Sequence, residues 1–150
     1  TLFTDIIVGF TGETEEQFMN TYAALEEVRF NMAYIARYSP RPGAASSRWD
    51  DDIQHEVKKD RLHRLSELLR THSLQHNQKM VGKRYNVLVT GTDRKTGYLS
   101  GLTEGKIIVR ILDRNHGLIG NFVETEITSA ADFATEGKLV RVLNESMTEA

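Results

Sequence analysis

"TDIIVGFTGET", residues 4–14, joins an apolar run to a glycine-containing turn and then to acidic residues. The β-branched run at 6–8 ends at Gly9, which is typical of a strand covered on both faces in a parallel sheet. Thr14 and Gln17 have the spacing of a capping box, in which each side chain satisfies the other residue's backbone amide. The stretch therefore predicts a strand, a tight turn and the start of a helix.

The residues that follow complete a strand, helix and strand. We predict the helix from about residue 15 to residue 28, because apolar residues there recur at spacings that place them on one face. Residues 32–38 predict a second strand. A strand, a crossover helix and a strand in this order form a right-handed βαβ unit with parallel strands.

A loop and a long helix connect this unit to the rest of the chain. Residues 38–49, YSPRPGAASSRW, contain both prolines and predict the loop. Three aspartates at 50–52 precede a basic, amphipathic helix that we predict to end near Gln78. Beyond this helix the apolar period changes from about 3.6 residues to about 2. We therefore predict two domains, residues 1–78 and residues 79–150.

Five short segments of alternating polarity occupy the second domain. Gly, Asp and Asn turns separate them, and no predicted helix covers a face of the sheet that they would form. Such strands bury a core best by curling into a small barrel of the kind that oligonucleotide-binding folds use. The predicted fold class is thus α/β followed by all-β. The segments are RYNVLVTG at 84–91, GYLSGL at 97–102, KIIVRIL at 106–112, NFVETEIT at 121–128 and KLVRVL at 138–143.

The composition excludes several classes of protein. A formal net charge of -2 gives no overall field that would draw the chain onto nucleic acid or an anionic membrane, so such binding needs a local patch. The absence of cysteine excludes disulfides and any cysteine-ligated metal cluster held by these residues. No apolar run approaches the roughly 20 residues of a membrane span. We expect a cytoplasmic protein without a membrane partner.

Gly9 and Gly12 lie at the carboxyl edge of the predicted parallel sheet, where α/β folds bind ligands through backbone amides. The simpler interpretation is that the two glycines only allow a tight turn. Their spacing is neither that of a dinucleotide fingerprint nor that of a P-loop, so it predicts no phosphate cradle. Asp5 shares a strand face with Gly9, and would either face a polar barrel centre or lie at the exposed start of the strand.

Two stretches carry a resemblance to a known family. TDIIVGFTGETEEQF at 4–18 and EEVRFNMAYIARYSPRPG at 26–43, followed by a basic helix and a small barrel, resemble the C-terminal part of radical-SAM methylthiotransferases. The family usually has Pro where Thr11 stands and Thr where Ala44 stands. The resemblance implies that the first domain is the last βαβ portion of an incomplete (βα) barrel. It also implies that the second domain is a TRAM domain, which is an OB-like, RNA-binding barrel.

The resemblance further implies cofactors and a substrate. Full-length members use S-adenosylmethionine and two 4Fe–4S clusters, and this chain would be the last third of such an enzyme. We expect it to carry no cluster, metal site or catalytic residue, and to be inactive alone. The loop at 38–43 resembles the branch that methylthiolates the isopentenyl-modified adenosine beside the tRNA anticodon. The alternative is an RNA- or ribosomal-protein-binding module of another branch, the threonylcarbamoyl-adenosine or ribosomal-protein enzyme.

Candidate site residues in the first domain follow from the motifs and the resemblance. For Arg37 and Arg41 we weigh contact with substrate phosphate, which suits a guanidinium, against a solvated surface. The residues that match the family's strand-to-loop motif would line the S-adenosylmethionine or substrate pocket, and they are Asp5, Gly9, Gly12 and Glu13.

The second domain has a weak basic bias, and its cations would form an RNA-binding patch if their strands are adjacent. Tyr85, Tyr98 and Phe122 are candidates for stacking on bases, although aromatic residues in strands lie more often in the core. We favour the core for Phe122 and leave Tyr98 open, because it follows Gly97 at a predicted turn. The cations are Lys83, Arg84, Lys106, Arg110 and Arg141.

The basic helix has two further features. His72 and His76 lie four residues apart, a spacing that can hold a metal, but no third ligand is evident nearby. We interpret the helix, with its many Lys and Arg residues, as a solvated connector. Exposed strand edges in the first domain also predict self-association.

Overall fold

The computed structural model describes residues 1–143, which fold into two compact units. The first unit comprises residues 1–73, and the second begins at Leu74, inside the long helix. Residues 144–150 of the predicted second domain lie outside the described residues. No helix in the described part of the chain is long and apolar enough to cross a membrane.

The first unit contains the predicted βαβ arrangement. β1 (Phe3–Val8) and β2 (Met32–Arg37) are parallel neighbours, and α1 (Glu15–Val28) connects them. The capping box is formed, because the Thr14 hydroxyl accepts from the Gln17 amide at 3.2 Å and the Gln17 side chain accepts from the Thr14 amide at 2.9 Å. The local signals in the opening stretch therefore predicted this unit correctly.

Only one face of the two-stranded sheet is covered by residues 1–143. Val8 and Ala33 are buried, whereas Ile7 and Tyr34 on the opposite face are 57% and 65% exposed. The prediction that β1 is covered on both faces is therefore wrong for this chain, because only the helical side supplies a covering layer among the described residues. A loop with one 3-10 turn (Ala45–Arg48) follows β2.

The long helix α2 (His55–Gln78) buries cations as well as apolar side chains. The predicted apolar face is present, but the interpretation of the basic residues as solvated is wrong for Lys58 and Arg61. Side chains at successive spacings of three or four residues share a face of a helix, and here that face is buried. The buried residues at this spacing are Lys58, Arg61, Leu65, Leu69 and His72.

The second unit is a closed barrel of five strands. Around the barrel the order is β3-β4-β5-β7-β6, and β6 pairs back to β3. β5 and β7 are parallel, and all other neighbours are antiparallel. This arrangement confirms the prediction of a small five-stranded barrel. The strands are β3 (Arg84–Thr92), β4 (Tyr98–Thr103), β5 (Ile108–Leu112), β6 (Phe122–Ala130) and β7 (Thr135–Leu143).

Buried apolar side chains from β3, β4, β5 and β6, together with Leu118, fill the barrel interior. Gly101 is required where β4 pairs with β3, since a Cβ there would lie 2.5 Å from Cγ1 of Val87 and 2.7 Å from the Leu88 carbonyl oxygen. The buried core residues are Val87, Val89, Leu99, Val109, Ile111, Leu118, Val123 and Ile127.

Two of the three candidate aromatic residues have opposite orientations. Phe122 is 44% exposed, so the prediction that it lies in the core is wrong. Val123 and Ile127 occupy the inward positions of β6, and the alternation of side chains then places Phe122 on the outer face. Tyr85 lies two residues before Val87 on β3, so its side chain faces the same, inward side of the barrel. It packs against the core.

Candidate nucleic-acid interface and loop site

The loop between β1 and α1 is closed by carboxylates of the protein itself. Gly9 and Gly12 both have left-handed backbone, with φ of 69° and 77°. The Gly9 amide donates to the Glu13 carboxylate, and the Gly12 amide donates to Asp52 Oδ1 at 2.8 Å. The predicted backbone amides therefore lie at the carboxyl edge of the sheet, with side-chain acceptors already bound to them.

A buried arginine holds Glu13 in place. Arg61 Nη1 lies 2.7 Å from Glu13 Oε2 and 3.0 Å from the Glu13 carbonyl oxygen, and the two side chains are 5% and 12% exposed. The guanidinium also lies over Phe18, 5.4 Å from the ring centroid. A buried ion pair constrains geometry strongly, because removing either partner leaves an uncompensated charge. Glu13 thus anchors the loop from within.

Lys58 ties the loop after β2 to the loop after β1. Its Nζ forms an ion pair with Asp51 and donates to the Tyr38 carbonyl oxygen at 3.4 Å. The lysine stem passes so close to Gly9 that any Cβ at that position would collide with it. The two loops at the carboxyl edge are therefore attached to one helix, α2.

The sequence did not identify Lys58 and Arg61 as site residues, because charged side chains on a helix are usually exposed to solvent. The available signal was helical spacing, since both precede the buried Leu65 by intervals that place them on its face. The aspartates at 50–52 were identified from the sequence only as residues that precede this helix. In the structure two of them instead bind Lys58 and the Gly12 amide.

A pocket of about 250 Å³ opens at the carboxyl edge of β1 and β2. Its wall includes the apolar side chains of Ile7, Phe10 and Ala36 together with Arg37 and Arg41. The structure therefore brings the two predicted arginines of the first unit to one pocket. An apolar wall bordered by arginine residues is suited to a ring that carries an anionic group.

Asp5 lies apart from this pocket's wall. It is exposed on the open face of β1, opposite Tyr34 of β2. Arg37 also lines this pocket, but its guanidinium contacts α2, where Nη1 lies 2.7 Å from Nε2 of His55.

The outer face of β4 and β5 in the second unit carries an aromatic ring among cations. Tyr98 lies opposite the exposed Leu112, and Ser100 lies opposite Arg110. Lys95, in the loop between β3 and β4, places its Nζ 4.2 Å from the centroid of the Tyr98 ring. In oligonucleotide-binding barrels the second and third strands and the loop before them form the binding surface. We refer to this group of Lys95, Tyr98, Arg110 and Arg114 as the β4–β5 face.

Sequence reasoning missed Lys95 and Arg114 as members of this face. Arg114 follows β5 and packs beside Gly97, where a Cβ would lie 3.4 Å from Arg114 Nε. Lys95 precedes Tyr98 in the same turn, and this proximity was the signal available in the sequence.

Two acids contact the cations of the β4–β5 face. Glu136 Oε1 lies 2.6 Å from Lys95 Nζ, and Asp93 Oδ2 lies 3.3 Å from Arg110 Nε. The hydrogen bond to Glu136 holds the pKa of Lys95 above its ordinary value. The ammonium group therefore remains charged while it covers the Tyr98 ring.

The five cations that would form a patch if their strands were adjacent do not form one. Arg84 and Arg141 flank Glu124 on another face, at 3.7 Å and 3.4 Å from its Oε2. Arg110 lies opposite Glu136 at the start of β7, whereas Arg141 lies near the end of that strand. Only Arg110 of the five therefore belongs to the β4–β5 face.

Lys83 and Lys106 lie in exposed turns rather than on strands. Lys83 immediately precedes β3, and Lys106, with φ of 62°, lies in the turn between β4 and β5. His72 is buried in α2 rather than exposed on it. Across residues 1–143, no group of three or more His, Cys, Asp or Glu side chains is arranged to hold a metal ion.

Residues 78–140 match the family model of the TRAM domain. The barrel is a TRAM domain. This match covers β3 to β6 and most of β7, so the β4–β5 face lies within the TRAM barrel.

Almost the whole chain is similar to curated proteins named tRNA-2-methylthio-N(6)-dimethylallyladenosine synthase. The protein of Oceanobacillus iheyensis is 44% identical over 141 residues, which are 93% of this chain and 27% of that relative. Those of Baumannia cicadellinicola and Aeromonas hydrophila are 40% and 38% identical over 91% and 97% of this chain, and each match covers 30% of the relative. The predicted resemblance to the methylthiotransferase family is thereby confirmed. The chain spans less than a third of the length of these relatives.

Proposed function

We propose that this chain is part of a cytoplasmic tRNA methylthiotransferase, and that its TRAM barrel binds the anticodon region of the substrate tRNA. The names of its relatives describe the formation of a methylthio-modified dimethylallyladenosine in tRNA. The loop resemblance points to the adenosine beside the anticodon. The proposal assigns RNA binding to the second unit and part of a ligand pocket to the first.

The observation that carries the proposal is the position of the Tyr98 ring among cations on the β4–β5 face. Lys95 lies over the ring, and Arg110 and Arg114 project from β5 and from the segment after it. Proteins that bind single-stranded nucleic acid combine aromatic rings, on which bases stack, with cations that contact phosphates. An anticodon loop presents unpaired bases and phosphates together, which is the form of RNA that such surfaces recognise.

The first unit would supply part of the pocket for S-adenosylmethionine or for the substrate adenosine. The glycine loop and the pocket between Arg37 and Arg41 lie at the carboxyl edge of parallel strands, where α/β folds bind such ligands. The apolar wall fits a purine ring, and an arginine at its border fits a phosphate or a carboxylate. Asp5 would contribute only through the open face of β1, within the incomplete (βα) barrel that the resemblance implies.

The resemblance also implies 4Fe–4S clusters in the full-length enzyme. The residues of this chain do not fit such a cluster, because they include no cysteine to ligate it. When bound, S-adenosylmethionine and its cluster would supply the radical chemistry of the reaction. The cluster ligands would come from other residues of a longer protein, so we expect this chain to be inactive alone.

The proposal is tested by measuring the affinity of the chain for an anticodon stem-loop that carries isopentenyl-adenosine. The titration is repeated across salt concentrations beside a scrambled hairpin. We expect tighter binding to the stem-loop, and a salt slope that falls by about one in Arg110→Gln, because one phosphate contact is lost. Lys59→Gln removes the same charge from an exposed position on α2 and should leave the slope unchanged.

Two results would contradict the proposal. Absence of binding at low salt would show that the barrel does not bind this RNA. Preference for a ribosomal protein over the stem-loop would place the chain in another branch of the family.

A further inference from the structure

We propose that the β4–β5 face is latched by its own acidic residues, and that RNA binds by displacing Glu136 and Asp93 from the cations they hold. We refer to these two residues as the acidic latch. The inference rests on the proposed RNA-binding function of this face and adds a device that regulates it. The latch would lower the affinity for anions that cannot replace all of its contacts.

The first half of the latch covers the stacking ring. Glu136 Oε1 lies 2.6 Å from Lys95 Nζ, and the same Nζ lies 4.2 Å from the centroid of the Tyr98 ring. The lysine is therefore held over the aromatic face by a carboxylate from β7. A nucleobase that stacks on the face of Tyr98 covered by Lys95 must occupy the space of this ammonium group. Binding of a base thus requires Lys95 to leave Tyr98, which disrupts its contact with Glu136.

The second half of the latch occupies Arg110. Asp93 Oδ2 lies 3.3 Å from Arg110 Nε, and Asp93 Oδ1 accepts from the Lys95 amide at 2.8 Å. One aspartate therefore neutralises the arginine and shapes the loop that carries the lysine. Its side chain is only 12% exposed, so solvent screens this pair less than an ordinary surface pair.

The carboxylates of both acids occupy positions that we propose for RNA phosphates on this face. Each places an anionic oxygen at or near hydrogen-bonding distance of a cation, as a phosphate would. Glu136 also lies directly opposite Arg110 in the pairing of β5 with β7, so it neighbours the arginine that Asp93 binds. A simple polyanion replaces only the carboxylates. An RNA loop replaces the carboxylates with phosphates and the ammonium group over Tyr98 with a base, so the latch favours unpaired RNA.

The latch is tested with Glu136→Gln and Asp93→Asn in the 150-residue chain. Each substitution keeps an oxygen that accepts hydrogen bonds, so the side chain introduced by Asp93→Asn can still accept from the Lys95 amide. We expect each variant to bind the isopentenyl-adenosine stem-loop about twofold to fivefold more tightly at low salt, since an ion pair no longer has to be broken. We also expect its salt slope to rise by up to about one. Thermal unfolding verifies that each variant is folded.

Two controls separate a latch from a general effect of charge. Glu126→Gln removes the same charge from β6, where Glu126 contacts Arg84, and should tighten binding less than Glu136→Gln does. In a Lys95→Gln background, Glu136→Gln should tighten binding no more than Glu126→Gln does, because its larger effect passes through the lysine.

The outcomes distinguish the latch from RNA binding itself. The latch is overturned if Glu126→Gln and Glu136→Gln tighten binding equally. It is also overturned if Glu136→Gln has an undiminished effect in the Lys95→Gln background. RNA binding by the unmodified chain that neither latch variant alters overturns the latch and leaves the proposed function standing. Absence of RNA binding in every variant overturns both.

Discussion

Arg61 Nη1 lies 2.7 Å from Glu13 Oε2 inside the first unit, and both side chains are almost fully shielded from water. The same carboxylate accepts from the Gly9 amide, so the arginine orients the loop after β1 through Glu13. Lys58, one turn earlier on α2, reaches the loop after β2 through Asp51. Helix α2 therefore positions both loops that border the proposed ligand pocket.

Removing the Arg61 charge should destabilise the first unit strongly. Arg61→Gln leaves the Glu13 carboxylate buried without its counter-ion, and we expect a loss of about 3–5 kcal/mol in the free energy of unfolding. Urea titration followed by Trp49 fluorescence reports on this unit, because Trp49 packs edge-on against Phe10 there. Lys59→Gln, at an exposed position of the same helix, should cost less than about 0.5 kcal/mol. Similar losses in the two variants would show that the pair is unimportant.

Alanine substitutions at Gly9 and Gly12 together test the close approach of the Lys58 side chain to Gly9. Both have positive φ, so alanine at either position should cost about 1–2 kcal/mol in backbone strain. Gly9→Ala should cost at least about 1 kcal/mol more, because its Cβ would collide with the buried Lys58 stem, whereas a Cβ at Gly12 meets no atom within 4 Å. Chemical denaturation of the two variants measures this difference. Equal costs would contradict the described path of Lys58.

The stability of the first unit should depend on pH through Glu15. A hydrogen bond from Arg64, at 2.8 Å, holds the pKa of Glu15 below its ordinary value of 4.5. A lowered pKa in the folded state contributes stability that is present above pH 4.5 and is lost as the pH falls through the folded-state pKa. In Arg64→Gln, an NMR titration should show the pKa of Glu15 moving up toward 4.5. Lys59→Gln should leave the Glu15 titration unchanged, and an unchanged titration in Arg64→Gln would refute this pairing.

The outward position of Phe122 predicts a modest cost for its removal. Phe122→Ala should lower the free energy of unfolding of the barrel by at most about 1 kcal/mol, because the ring is already 44% exposed. Ile127→Ala, five residues along the same strand, should cost about 2–5 kcal/mol because it leaves a cavity in the core. Thermal and chemical unfolding of the two variants measures the contrast. The reverse order would restore the original prediction that Phe122 lies in the core.

Local elements were predictable because their signals lie within a few residues of each other. The capping box at Thr14 and the β-branched run before Gly9 predicted the βαβ unit, and alternating polarity predicted the five barrel strands. The motifs at either end of the βαβ unit also carried the family resemblance that the relatives confirm. None of these inferences needed knowledge of a distant part of the chain.

Side-chain environments were less predictable. Alternation along β6 shows that Phe122 and Val123 face opposite sides, but closure of the barrel decides which side is the interior. The charge of Lys58 and Arg61 suggested solvent, yet α2 turns both toward carboxylates in the loops. A pattern within one element therefore predicts that it has two faces and leaves open what each face contacts.

Patterns in the amino-acid order thus establish the elements, their succession along the chain, the barrel and the family resemblance, because each depends on period or motif over short distances. Folding alone settles which charges are buried and which cations share a surface. Arg61 meets Glu13 across 48 residues of sequence, and Lys95 meets Glu136 across 41. Such pairs depend on how the strands and helices pack in three dimensions, and no local pattern specifies that packing.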